Sequence, residues 1–175
     1  IKAPSKQLKE LQNRLKLILD EIYIPKDPAK AFIKNKSIYD NAKPHTSKHF
    51  VFNVDLKDFF DSITFPRIRG MLIAPPYNFQ PETATVIAHL CTVNGSTPQG
   101  APTSPTLSNM ICTKLDSSLI KIAKKYNCTY TRYADDITFS FSCPEQYLPE
   151  GIVRKRTTDT HYSAIIGDEL EKAIL

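Results

Sequence analysis

Three acidic residues carry the most distinctive chemistry in this sequence, although 80 positions separate the first from the second. Asp55 ends a run of alternating apolar residues, whereas Asp135 and Asp136 are adjacent and stand between two apolar runs. Carboxylates that meet in space can bridge two Mg²⁺ ions about 4 Å apart, one activating a hydroxyl and the other holding a phosphate group. The three acids therefore predict two-metal phosphoryl transfer.

Each of these features alone has a commoner structural explanation. An Asp-Asp pair at a hairpin tip usually forms the turn, and a Phe-Phe-Asp segment after a strand usually belongs to the core and a helix cap. The Gln-Gly-Ala-Pro loop of residues 99–102, which leads into a helix, adds a third feature. The hypothesis of a catalytic site depends on the combination and order of these features.

The elements that must position the acids follow from the hydrophobic pattern. Strict alternation over residues 50–56 predicts a strand that carries Asp55 near its C-terminal end. Two runs rich in aromatic and β-branched residues, 128–133 and 137–141, predict a hairpin with the Asp-Asp pair at its tip. If the strand and the hairpin are neighbours in one sheet, the three acids meet.

Residues 5–22 form the first predicted helix, with Ser5 as its N-cap. Its predicted buried stripe consists of apolar residues at spacings of three and four, namely Leu8, Leu11, Leu15, Ile18 and Ile22. The opposite face carries four basic side chains, which are Lys6, Lys9, Arg14 and Lys16. A second helix is predicted from Ser104-Pro105 to Lys124-Lys125, because serine caps helices and proline favours the first helical position.

Two further helices are predicted from the remaining segments. A short helix is predicted over residues 82–91, and another helix from Tyr162 to Leu175, with residues 143–160 irregular between the hairpin and that helix. The chain begins with Ile1 rather than methionine, so we expect it to be a piece of a longer protein.

The positive charge of the chain is concentrated at one end. Residues 1–50 contain 11 Lys and Arg against 5 Asp and Glu, whereas residues 51–175 contain 12 against 13. This asymmetry predicts that the first part contacts a polyanion, and the alternative is a solvated helix face. The four cysteines lack metal-ligand spacing and indicate reduced thiols in the cytoplasm. No run approaches 18 apolar residues and no signal peptide is recognisable, which argues against a membrane span.

Three segments, in this order, resemble motifs A, B and C of reverse transcriptases: residues 52–60, 98–105 and 133–136. A further segment, residues 41–45, precedes the first of these and resembles the N-A-x-x-H signature of the retron type. The resemblance extends over nearly the whole chain and weakens from Pro144 onward. It implies a fold and a role for each matching residue.

The implied catalytic residues are Asp55, Asp135 and Asp136. The implied metal ligands are the same acids and Leu56, for two Mg²⁺ ions or Mn²⁺ in their place. The implied nucleotide-binding residues are Phe59, Phe60, Gln99, Gly100 and Ala134. Phe60 would be the steric gate, because a ring beneath C2′ of the sugar leaves no room for a ribose hydroxyl.

The RNA-binding residues that we expect are Lys6, Lys9, Arg14, Asn41 and His45. The three basic residues come from the charge pattern, and Asn41 and His45 come from the retron-type signature. The alternative for Asn41 and His45 is structural, since these residues commonly cap and brace a loop, here the loop that leads into the Phe50 strand.

The resemblance implies an α+β fold of the right-hand polymerase type, with a palm sheet like that of RRM or ferredoxin-like domains. Fingers would occupy residues 1–49 and 67–98, and the palm residues 50–66 and 99–175. The palm would be truncated, and the thumb would be absent from this chain.

The implied function is an RNA-directed DNA polymerase of a retron in the bacterial cytoplasm. It would use dNTPs and a structured non-coding RNA as template and primer, and would leave an RNA–DNA hybrid, msDNA, in anti-phage defence with an effector protein and without a membrane. Two alternatives stay open. One is a group II intron-like or other bacterial defence reverse transcriptase, and the other is a catalytically silent polymerase-like scaffold that binds RNA.

Overall fold

A computed structural model describes residues 4–157 and 162–175. Its helices are α1 (Lys6–Ile22), α2 (Ile38–Ala42), α3 (Phe59–Ser62), α4 (Phe65–Ile73), α5 (Pro81–Cys91), α6 (Ser104–Lys125) and α7 (Asp168–Ile174). Its strands are β1 (Phe50–Asp55), β2 (Thr129–Tyr133), β3 (Asp136–Phe141), β4 (Val153–Thr157) and β5 (Tyr162–Ile166). The predicted α+β composition is therefore confirmed. Within the described ranges, no helix is both long enough and apolar enough to span a lipid bilayer.

The chain divides into two compact units. The first combines Ile1–Pro25 with Lys57–Thr113, and it contains α1, α3, α4, α5 and the beginning of α6. The second combines Lys26–Leu56 with Lys114–Leu175, and it contains α2, the five strands, the remainder of α6 and α7. The three predicted acids all belong to the second unit.

The sheet of the second unit has the strand order β1-β3-β2 and is antiparallel throughout. Because side chains alternate along a strand, one face of this sheet is apolar and the other is polar. The apolar face packs against α6 and α7, and the buried members of this core are Leu119, Ala123, Tyr130, Ile137, Phe139, Phe141, Ile152, Val153 and Leu170. The predicted strand and hairpin are neighbours in this sheet, which is the condition under which the three acids meet.

In the first unit, α1 begins after Ser5, whose side chain accepts a hydrogen bond from the backbone N–H of Leu8 as the N-cap prediction requires. The predicted buried stripe is partly wrong, because Leu11 and Ile18 are 45% and 53% exposed. The buried residues of α1 are Gln12, Leu15 and Leu19. Gln12 is tolerated there because its Nε2 donates to the carbonyl of Leu90 at 2.7 Å.

The region after the hairpin also differs from the prediction. Residues Tyr162–Ile166 form strand β5 rather than helix, and the helix begins only at Asp168. Strand β5 pairs with β4, which lies in the segment predicted to be irregular, with Val153 opposite Ile166. Residues 158–160 of that segment lie outside the described residues. A neighbouring strand supplies the backbone hydrogen bonds that local helix formation would otherwise provide, and a local pattern does not contain that partner.

Candidate active site

The register of the sheet brings the predicted acids to one end of it. Asp55 and Asp136 are direct cross-strand partners in the β1–β3 ladder. Direct partners in an antiparallel pair project from the same face, with Cβ atoms about 5 Å apart. The backbone N–H of Leu56 donates to the carbonyl of Asp135 at 3.1 Å, which continues the pairing into the turn. The sheet therefore places all three acids together.

The turn between β2 and β3 is a two-residue hairpin loop of Ala134 and Asp135, closed by the pairing of Tyr133 with Asp136. Ala134 has a φ of +56°, in the left-handed region that is uncommon for a residue with a Cβ atom. Strand β1 supplies Asp55 from its exposed face, because its apolar residues point to the core on the other side. Local alternation and one tight turn thus build this end of the sheet.

The electrostatics of the site reflect the crowding of negative charge. Partial burial, together with the negative charges of Asp135 and Asp55, raises the pKa of the Asp136 carboxyl above its usual value. A bound cation would relieve this repulsion, and carboxylate oxygens are the ligands that Mg²⁺ prefers, so the donor set fits a divalent ion. Within residues 4–157 and 162–175, however, the structure contains no group of three His, Cys, Asp or Glu side chains that could hold one metal ion.

Four of the predicted nucleotide-binding residues lie in the first unit, whereas Ala134 lies beside the acids in the second. Phe59 is buried at the start of α3, and Phe60 is half-buried, with its ring edge-on to the ring of Phe59 at 5.2 Å between centroids. Phe60 is therefore held by packing against its neighbour while part of its ring stays accessible.

The loop that contains Gln99 and Gly100 is anchored at both ends. Thr97 donates from its backbone N–H and its hydroxyl to the carbonyl of Ile63, at 3.0 and 2.9 Å. The Ser104 hydroxyl donates to the carbonyl of Pro98 at 2.7 Å. Gln99 and Gly100 are exposed between these anchors, and Gly100 has a φ of +101°, which suits glycine. The loop is thus fixed in place and presents the Gln99 side chain to solvent.

The predicted RNA-binding residues of α1 differ in their surroundings. Lys6 and Lys9 are exposed. Arg14 is also exposed, but its Nη2 lies 2.8 Å from Glu10 Oε1, an ion pair one helical turn away. Because this pair already offsets the charge of Arg14, Lys6 and Lys9 are the stronger candidates for phosphate contacts.

Both ring nitrogens of His45 form hydrogen bonds within the protein. It is only 9% exposed, and its ring atoms Nδ1 and Nε2 lie 2.7 Å from Ser140 Oγ and Thr131 Oγ1, respectively. These hydroxyls lie on the polar face of the sheet, in β3 and β2. Burial, and secondarily the charge of Lys48, lowers the pKa of His45, so the neutral ring is favoured. This geometry favours the bracing interpretation over the direct RNA contact that we predicted for His45.

Asn41 presents a different case from His45. It is half-buried in α2, and its Oδ1 is a buried atom without a hydrogen-bond partner among the described residues. That oxygen is buried, so it gives no support for RNA contact, and RNA contact stays an untested prediction for Asn41.

Two residues next to the acids were missed by the sequence analysis. Asp116 in α6 and Arg132 in β2 are fully buried and ion-paired, with 2.7 Å between Arg132 Nε and Asp116 Oδ1. A weak signal was available for Arg132, which is the single charged residue of the run 128–133, whereas Asp116 follows Lys114 and precedes two serines and gave no such signal. Charges in such positions are usually paired with each other when they are buried.

The chain is similar to known proteins along most of its length. A family model described as "Reverse transcriptase (RNA-dependent DNA polymerase)" matches residues 1–163. The retron Mx65 reverse transcriptase of Myxococcus xanthus is 40% identical over an alignment of 156 residues, and the match covers 79% of this chain and 36% of that protein. The retron Ec86 reverse transcriptase of Escherichia coli is 41% identical over an alignment of 142 residues, and the match covers 80% of this chain and 43% of that protein.

A third relative, the retron Mx162 reverse transcriptase of Myxococcus xanthus, is 35% identical over 167 residues. This match covers 85% of this chain and 34% of that protein. The chain therefore spans less than half the length of these three curated relatives.

Proposed function

Because the chain belongs to the reverse transcriptase (RNA-dependent DNA polymerase) family and is of the retron type, we propose that it carries the catalytic acids of an RNA-directed DNA polymerase. In the proposed reaction, the 3′-hydroxyl of a primer attacks the α-phosphate of a dNTP opposite an RNA template. The observation that carries the proposal is the register that pairs Asp55 with Asp136 beside Asp135.

The proposed division into fingers and palm follows the right-hand polymerase plan. The palm is the three-stranded sheet with its α6 and α7 cover, and the fingers include α1, α4 and α5. Residues 26–49, which the sequence analysis assigned to the fingers, group with the sheet in the second unit. We assign none of the described elements to a thumb.

Asp55, Asp135 and Asp136, with the backbone of Leu56, are the proposed holders of two Mg²⁺ ions or of Mn²⁺. Bound there, the ions would lower the pKa of the primer hydroxyl and neutralise charge on the phosphates. The pKa of Asp136 is raised first by burial and then by the charges of Asp135 and Asp55, and this second cause supports the role, because neighbouring carboxylates favour a positive partner. The chain itself contributes the sheet end, where the register of β1 and β3 makes Asp55 and Asp136 direct cross-strand partners.

We assign selection of the nucleotide to Phe60, Gln99, Gly100 and Ala134. Phe60 is the proposed gate against a ribose hydroxyl, and its packing against Phe59 supports a rigid ring in that role. Exposed Gln99, on its anchored loop with Gly100, is the proposed contact to the incoming dNTP. Ala134 is the proposed small residue beside the nucleotide at the acid-bearing turn.

The proposed template and primer is a structured non-coding RNA, and the product is msDNA in an RNA–DNA hybrid. The retron names of the matched relatives support this choice over a group II intron-like enzyme. Lys6, Lys9 and Asn41 are the proposed RNA contacts, with a smaller contribution from Arg14. By the same analogy, the protein would act in the bacterial cytoplasm with an effector protein in anti-phage defence.

The decisive experiment measures DNA synthesis on an RNA template by the full-length protein and by its Asp55→Asn variant. Asparagine keeps the size of the side chain and removes its charge, so synthesis should fall to background while RNA binding is retained. Asp61→Asn is the matched control, since Asp61 is an exposed acid six residues away that lies outside the proposed site. Synthesis that survives Asp55→Asn would contradict the proposal, and RNA binding without synthesis by the parent protein would favour the silent scaffold.

A further inference from the structure

The Asp116–Arg132 pair lies behind the turn that carries Asp135. Both side chains are fully buried, with 0% exposure. Arg132 Nε and Nη2 donate to the two carboxylate oxygens of Asp116 at 2.7 and 2.8 Å, which is the two-pronged geometry that gives Arg–carboxylate pairs their directionality. The hydroxyl of Tyr130 donates a third hydrogen bond to Asp116 at 2.7 Å. The guanidinium plane is therefore fixed by its partner.

The third nitrogen of the guanidinium, Nη1, contacts the turn itself. Arg132 Nη1 donates to the carbonyl of Ala134 at 2.9 Å. That carbonyl belongs to the peptide that joins Ala134 to Asp135, so the contact orients the plane from which the Asp135 backbone continues. Ala134 has a φ of +56°, which is disfavoured for alanine, and the hydrogen bond from Arg132 to its carbonyl stabilises this strained conformation.

The backbone of Arg132 is held from the outer edge of the sheet as well. Its N–H donates to the carbonyl of Pro28 and its carbonyl accepts from the N–H of Lys30, both at 2.9 Å. The guanidinium thus has a fixed base on the backbone and a fixed partner in α6. A buried ion pair is a poor source of stability, because desolvation offsets most of its attraction. Since stability does not explain why this ion pair is present, orientation of the turn is the role that fits it.

We propose that Asp116 and Arg132 are positioning residues that hold the Ala134–Asp135 peptide so that the Asp135 and Asp136 carboxylates face Asp55 in a geometry competent for nucleotidyl transfer. The proposal rests on the polymerase function proposed above. Neither residue touches substrate, and both act through the turn.

The test compares two variants of the full-length protein with the parent. Arg132→Met combined with Asp116→Leu replaces the pair by apolar side chains of similar size, so no unpaired charge is left and the fold is retained. The carbonyl of Ala134 loses its donor in this double variant. Tyr130→Phe is the matched control, because it removes one hydrogen bond from Asp116 and leaves all the guanidinium contacts in place.

Three quantities are measured: the melting temperature, the kcat and KM for dNTP on an RNA template, and the affinity for Mn²⁺ alone from electron paramagnetic resonance. The double variant should stay folded at the assay temperature with a lower melting temperature, because the Ala134 carbonyl and the Tyr130 hydroxyl each lose a buried partner. Its kcat should fall at least tenfold and its Mn²⁺ affinity at least threefold. Tyr130→Phe should stay within about twofold of the parent in kcat and Mn²⁺ affinity. A folded double variant with parental kcat and Mn²⁺ affinity would overturn the proposal.

Arg132→Lys provides a second measurement if the double variant does not fold. Lysine keeps the charge beside Asp116 but lacks the planar fork that reaches the carboxylate and the Ala134 carbonyl together. Hydrogen exchange of the amides of residues 133–136 should become at least tenfold faster in this variant, and an unchanged rate would overturn the proposal. These amide and Mn²⁺ readouts need no DNA synthesis, so they also separate a failure of this inference from a failure of the proposed function.

Discussion

Replacing His45 by alanine should weaken the second unit substantially, because this side chain links β2 to β3 across the polar face of the sheet. The substitution removes two hydrogen bonds of 2.7 Å and leaves the hydroxyls of Ser140 and Thr131 without their imidazole partner. A buried polar group that loses its partner costs about 1–3 kcal/mol. The vacated space admits water to part of this region, so we expect a loss near the lower end for each hydroxyl, about 2–4 kcal/mol in total.

The same substitution should change how stability depends on pH. Burial, with a smaller contribution from Lys48, lowers the pKa of His45 in the folded protein. The unfolded chain, with a histidine pKa of about 6.5, therefore binds a proton before the folded state does. The contribution of neutral His45 is fully present above that value and decreases as the pH falls toward the folded pKa. The difference in stability between the parent and His45→Ala should thus be larger at pH 7.5 than at pH 5.5.

Urea denaturation of the full-length protein at both pH values measures these effects, with hydrogen exchange in β2 and β3 as the local readout. His49→Ala is the matched control, because His49 is exposed and lies four residues away on the same segment. We expect the control to change stability by less than about 0.5 kcal/mol. If His45→Ala is as stable as His49→Ala and instead loses affinity for its RNA, the bracing role is refuted and the RNA-contact interpretation is right.

Three further predictions concern the proposed site and the basic helix. Phe60→Ala should raise the ratio of ribonucleotide to deoxynucleotide incorporation at least about tenfold, because it opens the space beneath C2′ of the sugar; an unchanged ratio would reject the gate assignment. Asp136→Asn should be more stable than the parent at pH 7, since the raised pKa of Asp136 means that its charged form destabilises the fold, and this advantage should disappear as the pH falls toward the unfolded pKa of about 3.9. Lower stability of Asp136→Asn at pH 7 in urea denaturation would contradict that reasoning. Lys6→Gln combined with Lys9→Gln should reduce the slope of log affinity for RNA against log salt concentration by about two, because each lysine that binds a phosphate contributes about one to that slope. Arg14→Gln should have a smaller effect because Glu10 already pairs with Arg14. An unchanged slope in the double variant would show that this helix face is solvated and does not contact RNA.

The sequence by itself was sufficient for the elements that depend on local pattern. Strict alternation predicted β1, and the two aromatic runs around Ala134 and Asp135 predicted the hairpin, because a half-buried strand imposes a period of two on its own residues. The bounds of α6 followed from its serine start and its terminal lysines. Residue order also sufficed for the family, since each short motif is local to the chain.

The face of α1 could not be read as reliably as its length. Leucine and isoleucine surround much of this helix, so several stripes satisfy a period of three or four. The stripe that is buried contains Gln12, and its side chain is accommodated only because the carbonyl of Leu90 lies opposite it. That carbonyl is 78 residues away, and no local period encodes it.

Tertiary structure alone decided how the acids and their supports meet. The pairing of Asp55 with Asp136, the contact of His45 with hydroxyls 86 and 95 residues away, and the burial of Asp116 against Arg132 all join distant parts of the chain. A histidine at position 45 suits either RNA contact or bracing of the fold, and only its contacts with Ser140 and Thr131 distinguish the two. Residue type sets what a side chain can bind, whereas folding brings the partners together, and burial then determines which of those bonds must form inside the protein because water is excluded.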